Sequence, residues 1–448
     1  MKKIGKILMV LVILFIVFIT GVYCYKNFYV ASIPQNIDIK LDDTVINISF
    51  NIYDNSFRND IYYIIKKDKN IPDINDSEWK LTKDNKITYT LDKHIYYVFL
   101  KNEDDKIIKV DGTDKFGSIT KLEVNKNKVY LPINGSYSPT LVYEGVGSVD
   151  DTIVWTSSNP DAVEVSEGGN IVAKGKGNST ITGTMMNKSI NIDVVSTNLI
   201  TKPPTQYDYK KPYLTCDIYS KEENDLMDAI LKDRVNTAGY KTRAGTVAAA
   251  RFLALEFPYR IYYFSENGRV EQNGVDSEGR YYHVGLYLHS SRFDQVGKRS
   301  RGPATWGCNM YSGPAHGYRR NGLDCSGFVS WVMLNGGFDV KDVGAGLSNG
   351  LDLTDYGKRT VLTKKVVSDN QIKVGDLLSS GGPGGGHIAI IIGEDDQNYY
   401  VAESLWTWPN VGVVVMQYRK SNIQNNFYYV MLMDDYYEKD GNLTKMWY

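Results

Sequence analysis

Asn321-Gly322-Leu323-Asp324-Cys325-Ser326-Gly327-Phe328-Val329-Ser330-Trp331-Val332-Met333-Leu334-Asn335-Gly336-Gly337 reads as one short helix with a defined start and stop. Phe328, Val329, Val332 and Met333 recur at helical spacing and form a single apolar stripe, as expected of a helix laid on a core. Gly336-Gly337 supplies the C-terminal stop. Asp324 is a good N-cap residue, which places Cys325 in the first turn. Free backbone N–H groups and the helix dipole there favour a thiolate over a thiol. A cysteine so placed is either a core residue or an armed nucleophile, and this segment alone does not separate the two.

The partner lies downstream. Gly375-Asp376-Leu377-Leu378 precedes a glycine-rich loop, Gly381 to Gly386, and then His387-Ile388-Ala389-Ile390-Ile391-Ile392-Gly393 reads as a buried strand opening on a histidine. Tyr399-Tyr400-Val401-Ala402-Glu403 reads as the next strand. A hairpin turning at Glu394-Asp395-Asp396 puts His387 opposite Glu403, close enough for the carboxylate to accept the imidazole N–H. Nucleophile, base and orienting group then follow in the order Cys325, His387, Glu403. The glycine-rich loop is not a phosphate loop, since it lacks Lys and leads into a strand. Its composition suits a cleft wall.

Three motifs together, Leu323-Asp324-Cys325-Ser326-Gly327-Phe328-Val329, Val374-Gly375-Asp376-Leu377 and Gly386-His387-Ile388-Ala389-Ile390, resemble the motif set of the NlpC family (NlpC/p60-like) of cysteine peptidases. The resemblance implies a pared-down papain-like α+β fold and cleavage of peptidoglycan stem peptides, often next to D-γ-glutamyl-diaminopimelate. It implies Cys325 as nucleophile, His387 as general base and then acid, and Glu403 at a third position often occupied by His. It further implies that the Cys325 backbone N–H serves the oxyanion, helped by an upstream side chain. Asp324 and Ser326 would hold the substrate's free amino end. One departure stands out. The family usually carries Pro-Tyr-x-Trp-Gly-Gly ahead of the cysteine, whereas Ala304-Thr305-Trp306-Gly307-Cys308 aligns Trp306 with the Trp and Ala304 with the Tyr. Tyr259 or Tyr263, in Pro258-Tyr259-Arg260-Ile261-Tyr262-Tyr263, is then the expected source of the hydroxyl, and Trp306 is expected to bind substrate with them. Two other readings compete: a CHAP-like N-acetylmuramoyl-L-alanine amidase, and a wall-binding or adhesion protein with a degenerate peptidase domain.

Working outward, the peptidase domain is expected over 213–448, with helical spacing at Asn224–Leu231 and Ala244–Glu256. Thr201-Lys202-Pro203-Pro204-Thr205-Gln206 marks a linker over 198–212, because paired prolines break helix and sheet alike. Residues 119–197 read as a β-sandwich. Within them Trp155-Thr156-Ser157-Ser158-Asn159-Pro160 and Gly169-Asn170-Ile171-Val172-Ala173-Lys174-Gly175-Lys176-Gly177 resemble the bacterial immunoglobulin-like domains of group 2. Trp155 is expected to plug its core and Asn159-Pro160 to set a turn. Short alternating runs such as Val45-Ile46-Asn47-Ile48 and Tyr96-Tyr97-Val98-Phe99-Leu100 make 33–117 a first immunoglobulin- or fibronectin-like sandwich. Both sandwiches read as spacers.

At the N-terminus, Lys2, Lys3 and Lys6 precede an apolar run from Ile7 to Tyr25, long enough to span a bilayer. Residues 1–6 then stay cytoplasmic and the remainder lies outside, in the cell-wall layer. A cleaved signal peptide leads to the same side, but no small-x-small site follows the run. Net charge is −1 with 23% charged residues, so no basic field points to nucleic acid. The 34 tyrosines favour β-structure and wet aromatic surfaces. Of four cysteines Cys24 lies in the anchor, and whether Cys216 and Cys308 pair is open. Cys308 reads as structural. His94 reads as a solvated turn residue, and His283, His289 and His316 as surface or cleft residues, away from metal-ligand spacing. No metal or cofactor is expected. Trp406 and Trp408 are candidates for the cleft rim.

Overall fold

A computed structural model describes residues 2–52, 57–208, 210–264, 285–286, 288, 305–311, 319–340, 357–380, 386–407, 411–444 and 446. The chain divides into two compact units, one made of 1–129, 136–172 and 177–195, the other of 130–135, 173–176 and 196–448.

The first unit begins with the helix Lys2–Cys24, exposed where described and long and apolar enough to cross a membrane; a signal sequence meets the same criterion. Beyond it, Gln35–Asp42, Val45–Asn51 and Lys86–Thr90 form one antiparallel sheet. Lys80–Leu81, Ile61–Lys66, Tyr97–Asn102 and Ile107–Val110 form another. The period-2 pattern works as read: Ile46, Ile48 and Phe50 point inward from one sheet and meet Ile61, Val98 and Leu100 of the other. His94 is exposed in its turn, 2.8 Å from Asp92. In the immunoglobulin-like stretch, Val154–Ser157 pairs with Gly177–Met185, and Val163, Ile171, Ile181 and Ile192 are wholly buried. Trp155 is on the core face, as expected, but is not fully covered. It is half-buried and its ring lies over Gly183 and Gly169, where a Cβ would stand 2.6 and 2.9 Å from the indole. The residue pairs with Gly183, beside the buried Ile181 and Met185, so it lies on the core side of its strand, where two glycines make room for it.

The second unit opens on a segment expected to be a free linker. Instead Leu199 and Ile200 are buried, Thr201 N–H donates to Glu256 O at 2.8 Å, and Lys211 Nζ donates to Phe257 O at 2.6 Å. Pro203-Pro204 keeps this strap out of any ladder, but its neighbours still bury apolar surface and satisfy backbone groups.

The helices that frame the candidate site are α1 (Lys221–Ala238), α2 (Arg243–Arg251) and α3 (Cys325–Asn335). A capping box starts α1, with Ser220 Oγ accepting from Glu223 N–H while Glu223 accepts from Ser220 N–H. Helix α3 ends in paired backbone bonds, Phe338 N–H to Met333 O and Gly337 N–H to Leu334 O, with Gly337 at φ +102°. Most of its circumference is buried, not a single stripe, because it packs against α2 on one side and the sheet on the other.

That sheet has six antiparallel strands: β1 (Lys358–Val361), β2 (Leu377–Ser379), β3 (Ile388–Glu394), β4 (Asn398–Leu405), β5 (Gly412–Arg419) and β6 (Tyr429–Leu432), in the order β1-β6-β2-β3-β4-β5. Strands β3 and β4 are near-continuously buried, as their unbroken apolar runs require. Arg243, 1% exposed at the start of α2, pins the helices to this sheet. Its guanidinium meets Asp376 at 2.8 Å, Asp434 at 2.5 Å and Asp440 at 3.2 Å, and lies over the Tyr437 ring.

Cys216 and Cys308 form a disulfide across 92 residues of sequence. Closing so long a loop restricts the unfolded chain strongly. Cys216→Ser/Cys308→Ser is therefore expected to lower the unfolding free energy of this unit by about 2–5 kcal/mol in urea melts. A midpoint unchanged by the double substitution contradicts this.

Candidate active site

Two chain segments fix the start of α3. Leu323 N–H donates to Tyr262 O at 2.9 Å, and Asn321 N–H donates to Cys308 O at 2.7 Å. Asp324 then caps the helix, its Oδ1 accepting from Gly327 N–H at 2.7 Å and from Ser326 Oγ at 3.1 Å. Cys325 is the first helical residue, 6% exposed and unpaired, with Sγ 3.8 Å from Gly386 O. Helix geometry leaves its N–H without an intrahelical acceptor.

His387 enters from the other side, at the mouth of β3, near enough to the Cys325 thiol for the two to influence each other's charge. Its Nε2 lies 2.5 Å from Glu403 Oε2, which leaves Nδ1 as the nitrogen available to sulfur. Glu403 is completely buried. The hairpin register is not the one expected. Ile390 pairs with Ala402 and Ile391 with Val401, so Glu403 faces Ala389's position and His387 stands two residues off, on the diagonal. A two-residue shift preserves the face of the sheet, so both side chains still point the same way and meet.

Two contributors were not anticipated. Tyr418, on β5, donates its O–H to Glu403 Oε1 at 2.8 Å, and Phe427 stacks on the His387 ring while meeting Tyr418 edge-on. The signal for Tyr418 was present: Glu403 pairs with Val414, and Tyr418 lies on the same face of the next strand.

The other expected site residues divide. Tyr263 packs edge-on against Trp406, which is 61% exposed, at the end of the strand bearing Glu403. Tyr259 instead lies among Tyr219 and Phe257. Asp324 and Ser326 are buried and bond to each other and to the helix start. Trp306 is a correction: at 1% exposure, tilted against Trp331 of α3, it packs the core beneath the helix and presents no surface to a polymer. Ala304, Trp408, His283, His289, His316 and residues 381–385 of the glycine-rich loop lie outside the described residues. Among the described residues one cluster brings metal-type donors together, Cys216, Asp217 and Cys308, and the disulfide has taken both thiols from it.

The electrostatics favour a protonated imidazole. Burial pulls the His387 pKa down, but Cys325 and Glu403, with their charges, outweigh it and raise it to about 10. A base with a raised folded-state pKa contributes stability that is complete below its unfolded value of about 6.5 and is lost as pH rises through about 10. The wild-type chain should thus lose stability across that window relative to Glu403→Gln. Parallel stability–pH curves for the two proteins from about pH 6.5 to 10 rule this out.

With this geometry in place, comparison with known proteins locates it. Residues 303–405, which contain Cys325, His387 and Glu403, match the model of the NlpC/P60 family. Residues 106–190 match that of the bacterial Ig-like domain, group 2. No curated protein matches the chain. Solved structures it is similar to include domains 4 and 5 of the S-layer protein SbsC, at 17% identity over 23% of this chain and 64% of that one, with a TM-score of 0.17. A GH10 xylanase from termite gut containing a bacterial Ig-like domain matches at 15% identity over 33% and 34%, with a TM-score of 0.14. Fibronectin(III)-like modules of Clostridium thermocellum CbhA match at 10% identity over 36% and 94%, with a TM-score of 0.18. The chain spans less than two thirds of the S-layer and xylanase chains.

Proposed function

We propose that this protein is a cell-wall hydrolase, a cysteine endopeptidase that cuts peptide bonds within peptidoglycan stem peptides. The observation that carries the reading is the meeting of Cys325, His387 and Glu403 inside the segment matched by the NlpC/P60 family. The Cys325 thiolate attacks the scissile carbonyl carbon and the oxyanion is taken up by the Cys325 N–H at the helix start. His387 delivers its Nδ1 proton to the leaving amine, giving an acyl thioester. It then takes a proton from water, which attacks the thioester and releases the new carboxylate. Glu403 holds the imidazole in register and balances its charge. Asp324 and Ser326 would meet the substrate's amino end, and Tyr263 with Trp406 would form a wall of the cleft. The papain-like fold, the two spacer sandwiches and an uncleaved membrane anchor belong to the same reading, placing the catalytic domain in the wall layer.

Digestion of purified peptidoglycan, with mass analysis of the muropeptides, tests it. The expected products carry a new amino terminus inside the stem peptide and an intact sugar–peptide amide. Release of whole stem peptides from the glycan indicates an amidase instead, and sedimentation with the wall without any cleavage indicates a binding protein.

A further inference from the structure

Glu403 is a carboxylate with no exposure, and both of its oxygens need partners to remain ionised in that setting. Oε2 is committed to His387. Oε1 accepts from Tyr418. Among the described residues no lysine or arginine forms an ion pair with it. The titratable groups around Glu403 are His387 ahead of β3, Cys325 of α3 beyond the imidazole, Tyr418 of β5, and Tyr207 of the strap, near enough to Tyr418 to influence it. Burial, and then the Glu403 charge, push the Tyr418 phenol far above its usual pKa, so it stays a donor. Its ring is held edge-on, 5.2 Å from Phe427, and Phe427 stacks 6.2 Å from His387. The same phenylalanine therefore steadies both ends of the hydrogen-bonded chain.

We propose that Tyr418 is a positioning residue for the thiol–imidazole pair, acting through Glu403: its O–H keeps the buried carboxylate anionic and stops it rotating away from His387. The inference rests on the peptidase reading for its kinetic part only. A hydrogen bond made to the charged form of an acid favours that form, so removing it weakens the anion that faces the His387 ring. Tyr418→Phe keeps the ring and its contact with Phe427 and deletes only the donor.

The test uses the full-length chain in detergent, labelled with ¹³C at histidine, in wild type, Tyr418→Phe, Glu403→Gln and the double variant. NMR titration of the His387 ring, identified with His387→Ala, reads the pair, and muropeptide cleavage reads the chemistry. Tyr418→Phe is expected to lower the pH at which the His387 ring titrates, because a weaker anion supports the imidazolium less. It should cut kcat by about 10–100-fold with KM unchanged. In the Glu403→Gln background the same substitution should cost less than about three-fold more, because its route to the imidazole is already gone. Superposition of Tyr418→Phe on wild type in both readouts overturns the proposal, as does an equal cost in the Glu403→Gln background. A titration shifted by Tyr418→Phe, when the wild-type chain itself cleaves nothing, supports the positioning role and instead sinks the peptidase reading.

Discussion

Cys325→Ala is expected to lower muropeptide cleavage by at least about 10⁴-fold while leaving the fold unchanged. The asymmetry follows from the position. Cys325 is the first residue of α3, where alanine is a better helix former and the lost sulfur leaves only a small space. Asp324 keeps its cap on Gly327 N–H, and the helix stays clamped by Phe338 and Gly337 at its far end. The chemistry has no such tolerance. Without sulfur there is no thioester, and the raised basicity of His387, which depends on Cys325 before Glu403, loses that support. Release of new amino termini from wall material reads the loss, and a thermal melt of the same preparation reads the fold. Cleavage above about 1% of wild type by a variant with an unchanged melt excludes Cys325 as the nucleophile.

The second large effect lies away from that centre. Asp376→Ala should destabilise the second unit by about 3–5 kcal/mol, because it strands the buried Arg243 guanidinium. Arg243 would still touch Asp434 and Asp440, but these carboxylates are 52% and 71% exposed, so solvent and salt screen them. Only Asp376 shares the burial of Arg243, and it also accepts from Lys373 N–H and Met433 N–H. The double substitution Arg243→Met/Asp376→Leu removes both charges together and should cost much less than the single one. Urea unfolding of the three proteins decides the matter, and a single-variant loss below about 1 kcal/mol contradicts the account. The defect should also reach the candidate site. Gly375 N–H donates to Ile391 O and Ile391 N–H donates to Asp376 O, so this turn is spliced into the strand whose mouth presents His387.

That splice shows why some of the site was readable before any coordinates. The Asp324 cap, the helix start at Cys325 and the stop at Gly336-Gly337 are local features set by residues within one or two turns, and the backbone follows them. The face shared by His387 and Glu403 depends on a bulge: the register from Glu394–Tyr399 and Gly393–Tyr400 would put them on opposite faces, and the extra residue between Ile391 and Gly393 brings them back to one. The register itself was not readable, because neither residue type announces that bulge.

The amino-acid sequence by itself determined the helix start at Cys325, the strand that His387 opens, the β-rich character of the N-terminal half and the change to mixed α+β, since caps, turns and hydrophobic period act over short range. Tertiary structure alone decided what depends on partners distant in the chain. It paired Cys216 with Cys308, buried Trp306 beneath α3, docked the proline strap, turned Trp155 onto its glycines and brought Tyr418 to the far oxygen of Glu403. Each outcome is a competition for a buried volume or an unsatisfied polar atom, and the competitors meet only once the chain has packed.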